Sequence, residues 1–227
     1  MTEISKNLNL ARTARTNDNA AEAKAYYKAV FSDMPENLEA EWYYRFLSIT
    51  EEINNETAEN YARLYEIFYP TLRYVAALED KNEKLILASD IIKGFPPLQD
   101  ILYSAIFHPA YSDPSLLSNK DFLNNLAKLK YMPEVDKREL ADKIIEIFGD
   151  SQPYGMLAAD IWKELIAERF KQSEYRNYKD KGKKLWFDEL GEKIKKYDPT
   201  YQMPQFKQAG CIVFGEAAKS IPAKEGL

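Results

Sequence analysis

The chain has 227 residues, 45% of them hydrophobic and 30% charged, with a formal net charge of −5. That mix is globular rather than disordered, the length suits one domain with at most an appendage, and the acidic balance argues against nucleic acid as the main partner. The single cysteine, Cys211, excludes an internal disulfide and a Cys-cluster metal site.

Residues 1–17 mix charge throughout, and no apolar run approaches ~18 residues, so neither a signal peptide nor a membrane span is expected. A cytoplasmic protein is the expectation. Valine occurs only at Val30, Val75, Val135 and Val213, while Leu, Ala, Glu and Lys abound. A chain so poor in a main strand former is expected to be all-α.

In chain order, "NLNLARTART" and "AAEAKAYYKAVF" form an antiparallel pair joined at "NDN", with Pro35 as the stop. A third helix spans Leu38 to Glu52, and "ETAENYARLYEIFYP" makes the fourth, which Pro70 ends or kinks. From Asn82 a helix carries Leu85, Ala88, Ile91 and Ile92 on one face and stops at Gly94, read as a left-handed cap. "FPPLQDILYSAIFHP" restarts after its proline pair. "YSDPSLLSN" reads as a loop and seam, followed by a helix to about Lys130 capped by Ser118 with Asp121. Asp136 with Glu139 opens the next helix, whose stripe of Leu140, Ile144, Ile147 and Phe148 ends at Gly149. A long helix from about Pro153 towards Tyr178 points Leu157, Ile161, Leu165 and Ile166 inward. The last strong helix, "KKLWFDELGEKIKKY", ends at Asp198-Pro199, and the tail from Thr200 is irregular apart from a short helix in "FGEAAKS".

Leu10, Ala11, Ala23, Tyr27 and Pro35 fit one register of the tetratricopeptide pattern, in which small residues let paired helices approach closely. Asn7, Ala14 and Val30 depart from it. In a second unit Trp42, Ala58 and Pro70 fit, whereas Arg45, Phe46, Ile49 and Ala62 do not. Residues 1–70 therefore resemble a degenerate tetratricopeptide pair, and no third unit is visible. Since at least three units are normally needed for a free-standing array, residues 71–199 are expected to complete the core as an irregular helical bundle or short solenoid. The expected organisation is a helical domain over 1–199 and a C-terminal tail over 200–227.

The tail carries Gly210, Cys211, Ile212, Val213 and Gly215 after "KKYDPTY" and a Pro-containing spacer. It resembles a truncated CFI-box segment, which in a group of bacterial proteins follows a tetratricopeptide-like region. That resemblance implies architecture and no chemistry.

His108 and Cys211 are the only His and Cys, so a catalytic pair would need both. His108 in "FHP" suits a helix end, and Cys211 reads as an inert thiol in an apolar tail. No P-loop and no G-x-G-x-x-G occur, and no carboxylate pair stands out. No cofactor, metal or enzymatic activity is expected. Residues 31–80 hold eleven acids against three bases, whereas residues 163–196 hold eleven bases against seven acids.

Three functions follow. The first is a scaffold or adaptor that binds a protein or peptide. The second is a nucleic-acid or anionic-surface binder using the basic helices of 163–196, with Tyr175, Tyr178, Trp186 and Phe187 either stacking on bases or filling core. The third is an enzyme with a carboxylate site that no motif announces. For the first, the resemblance implies a concave face lined by the first helix of each pair. Carried onto this chain, that face holds Arg12, Arg15 and Tyr43, two guanidinium forks for a carboxylate beside an aromatic for an apolar side chain.

Overall fold

Short polar side chains set the helix starts. Asn19 accepts from the Glu22 N–H at 3.3 Å and donates back to the Glu22 carboxylate at 2.7 Å, a reciprocal cap that opens α2 (Ala20–Asp33). It follows α1 (Glu3–Thr16) through a turn in which Asp18 takes φ 54°. The Asn37 side chain accepts from the Ala40 N–H at 2.9 Å and starts α3 (Leu38–Glu51). Asp80 accepts from the N–H groups of Asn82 and Glu83 at 2.8 and 2.9 Å, at the start of α5 (Lys81–Gly94).

These helices come from a computed structural model that describes residues 3–51, 56–98, 100–102, 104–105, 113–130, 135–171 and 181–204. No strand occurs among the described residues, and the protein is all-α.

Helix α4 (Thr57–Ala76) continues past Pro70, which neither ends it nor marks its last turn. An interior proline costs about 3 kcal/mol. Here Tyr61, Leu64, Ile67, Phe68, Leu72 and Val75 are all buried along one stripe. At about 1.5–3 kcal/mol for each large apolar side chain, that burial outweighs the proline several-fold.

Gly94 is also not a left-handed cap. It is the last residue of α5, and Phe95 follows with an ordinary right-handed φ of −81°. What the position requires is room, because a Cβ on Gly94 would lie 3.3 Å from Cζ of Phe46. The left-handed φ is found at Gly149 instead, at 81°, where the N–H still bonds the Ile145 carbonyl.

The loop residues Pro114–Ser118 form a 3-10 turn, and Asn119, not Ser118, caps α6 (Lys120–Lys130) by accepting from Asp121 and Phe122. Ser118 is committed to the 3-10 turn, which leaves the next polar side chain to cap. Asp136 caps α7 (Lys137–Phe148) as its spacing predicts. Then come α8 (Gln152–Lys171) and α9 (Lys181–Tyr197).

The chain divides into two compact units, Met1–Val135 and Asp136–Leu227. In the first, consecutive helices pack on one another, α1 on α2, α2 on α3, α3 on α4 and α4 on α5. Its centre is aromatic. Trp42, 1% exposed, meets Phe68 at 5.8 Å and the edge of Phe95 at 5.2 Å, and Phe95 stacks on Tyr61 at 5.3 Å.

In the second unit α8 packs on both α7 and α9. Leu140, Ile144, Leu157, Ile161, Trp162, Ile166, Phe187, Leu190 and Ile194 form its core. Leu165 is only half-buried, while Trp162, which no stripe in the sequence singled out, is buried in its place. Beyond α9, a Cβ on Gly191 would lie 2.8 Å from Sδ of Met203, so the chain lies against α9 at least that far. His108, Pro109, Tyr175, Tyr178, Cys211 and the segment Gly210 to Gly215 lie outside the described residues.

Candidate ligand groove

Arg12 and Arg15 stand on one face of α1, Glu39 and Tyr43 on one face of α3, and Glu83 and Asp90 on one face of α5. The structure brings all six together. Arg12 grips Glu39 as a fork, Nε to Oε1 at 2.8 Å and Nη2 to Oε2 at 2.6 Å, and the Glu39 side chain is fully buried. The Tyr27 hydroxyl adds a longer contact of 3.4 Å to the same carboxylate. Arg15 donates to the Tyr43 hydroxyl and to Asp90, the latter at 2.9 Å, and its carbon centre lies 4.5 Å from the Tyr43 ring centroid. Glu83 sits between the two guanidinium groups, 3.4 Å from Arg12 and 3.7 Å from Arg15.

Burial pushes the Tyr43 and Tyr27 phenols up, favouring the neutral hydroxyl, which can donate or accept, over the phenolate. The hydrogen bond to Glu39 pushes the Arg12 guanidinium up against the opposing effect of burial.

The structure thus brings Arg12, Arg15 and Tyr43 together. Their charges are more than matched within the chain, since the two guanidinium groups face three carboxylates, Glu39, Glu83 and Asp90. Tyr43 is 4% exposed, with its ring stacked on Tyr27 at 5.0 Å.

Beside this network lies a cavity of about 380 Å³. Arg15, Trp42, Tyr43, Phe46 and Leu47 line it from α1 and α3, and Ser89, Asp90, Lys93 and Gly94 line it from α5. Its volume falls in the range of small-ligand and side-chain pockets. Its floor is apolar, and its polar groups are gathered at the α1 and α5 rim. Arg12 is not among the lining residues.

Sequence reasoning missed Phe46, Leu47, Asp90 and Lys93. Phe46 was legible: it stands one turn after Trp42, and the missing side chain at Gly94 makes room for its ring. Asp90 and Lys93, three residues apart on α5, required knowing which face of α5 turns to α1 and α3.

The basic segment presents differently. Lys163 pairs with Asp160 and Asp198, Lys193 with Asp142 and Glu189, Lys195 with Glu192, and Lys196 with Asp150. Phe187 is buried, and the half-buried Trp186 carries the Arg169 guanidinium 4.3 Å from its ring centroid. Among the described residues no three His, Cys, Asp or Glu gather as a metal ion would need. No described helix is long and apolar enough to cross a membrane.

Comparison with protein-family models, with curated proteins and with solved structures returns no match.

Proposed function

We propose that the chain is a non-enzymatic binding protein, a scaffold or adaptor, whose groove between α1, α3 and α5 takes a segment of a peptide or protein. The observation that carries this reading is the cavity itself, about 380 Å³ lined by Trp42, Phe46, Leu47 and Gly94 together with the charged Arg15, Asp90 and Lys93. An apolar floor with a few convergent polar groups is the usual form of a recognition pocket. The resemblance of residues 1–70 to a tetratricopeptide pair supports it, because the helices that line the cavity are alternate ones, α1, α3 and α5, and consecutive helices pack from α1 to α5. The basic helices are the weaker candidate, since four of their lysines already have acidic partners.

The test is selection of random heptapeptides on immobilised protein, with Leu47→Asp as the counter-selected control. Enrichment of peptides that share a large apolar side chain, and lose binding to Leu47→Asp, is the expected result. Enrichment that is the same on both proteins contradicts the groove.

A further inference from the structure

The charges at the groove are not equally available. Every carboxylate of the network has a guanidinium within 4 Å: Glu39 has Arg12, Glu83 has Arg12 and Arg15, and Asp90 has Arg15. Among the lining residues Arg15 and Asp90 cancel, while Glu83, which does not line the cavity, is shared by Arg12 and Arg15. Lys93 lines the same cavity, is exposed, and makes no ion pair among the described residues. It lies three residues beyond Asp90, hence on the same face of α5, with Gly94 and the apolar floor next to it. Among its described lining residues the groove therefore offers an apolar floor with, beside it, a cation that has no ion pair.

We infer that the groove selects acidic–apolar peptide segments, a large apolar side chain seated over Phe46 and Leu47 with a neighbouring Asp or Glu side chain on Lys93. This rests on the groove reading and adds the chemistry of the partner. The carboxylate meets Lys93 and not the two arginines, because Arg12 would have to release the fully buried Glu39. Arg15 would have to give up Tyr43 and Asp90 together. Lys93 has no ion pair among the described residues to give up.

Three capped peptides, acetyl-ADLFDA-amide, acetyl-ASLFSA-amide and acetyl-AKLFKA-amide, separate the possibilities by calorimetry on the full chain. Their amide ends remove any terminal carboxylate. At low salt the acidic peptide should bind about fivefold tighter than the neutral one, as expected for one charge pair at ~4 Å in water. The basic peptide should bind weakest. The differences should shrink towards equality as the Debye length falls to ~3 Å near 1 M salt. Lys93→Glu, at an exposed site, should reverse the order.

Equal binding of all three to the wild type, abolished by Leu47→Asp, overturns the charge preference and leaves the groove standing. Tightest binding of the basic peptide overturns it too. Binding of none, or binding untouched by Leu47→Asp, overturns the groove and the preference together. If Leu47→Asp loses its helical circular dichroism, Ser89→Tyr, which fills the cavity from its rim, replaces it as the control.

Discussion

Glu39 and Asp90 both face guanidinium groups, yet their burial makes them different objects. Removing Glu39 as Glu39→Ala takes away the fully buried, bidentate partner of Arg12 and leaves it only the longer contact to Glu83 at 3.4 Å, and should cost about 3 kcal/mol. Asp90 is half exposed, so Asp90→Ala should change stability by less than about 1 kcal/mol. Urea midpoints of the two variants give the contrast directly, and equal losses would contradict it. Glu41 offers a pH test. Burial raises its carboxyl, but hydrogen bonds from Arg63 and Arg45 outweigh that and hold it below the ordinary value of 4.5. A lowered folded value contributes stability that is complete above the unfolded value and is lost as pH falls through the folded one. Glu41→Gln should therefore flatten the loss of stability between about pH 5 and pH 3, measured by denaturant titration at each pH.

At the scale of elements, the sequence reveals most where one local signal acts alone. Asp136 and Gly149 frame α7 as the spacing predicts, because a cap needs only its own first or last turn. Gly94 as a left-handed cap and Pro70 as a stop fail for the opposite reason. Whether a glycine caps or makes room, and whether a proline stops a helix, is decided by what packs there, here Phe46 and the buried stripe of α4. Arg12, Arg15 and Tyr43, taken from the tetratricopeptide resemblance, lie close together in the structure. Their carboxylate partners sit 27 and 75 positions away in sequence, a pairing that no local pattern encodes. Gly155 extends the close-approach argument to α8. A Cβ there would stand 2.1 Å from the Tyr197 ring, so Gly155→Ala should push α9 from α8. Overpacking costs about 1–3 kcal/mol, and the helix-propensity gain of about 1 kcal/mol offsets only part of it. A melting temperature that rises in this variant would contradict the packing.

At the scale of the whole molecule, the division at Val135 separates two cores, one aromatic around Trp42 and Phe95, the other around Trp162 and Phe187. Trp42→Ala should cost the first unit about 3–5 kcal/mol and leave the melting of the second in place, whereas Gly155→Ala should do the reverse. A single transition shifted alike by both would show that the units unfold together. The groove belongs wholly to the first unit, so its ligand should stabilise that unit's transition. The most direct test maps backbone amide chemical shifts in uniformly labelled protein as a selected apolar peptide is added. The account predicts that the largest shifts fall on Trp42 to Leu47 and Ser89 to Gly94. Shifts concentrated instead on α9, from Lys181 to Tyr197, with the α3 and α5 amides unmoved, would contradict it.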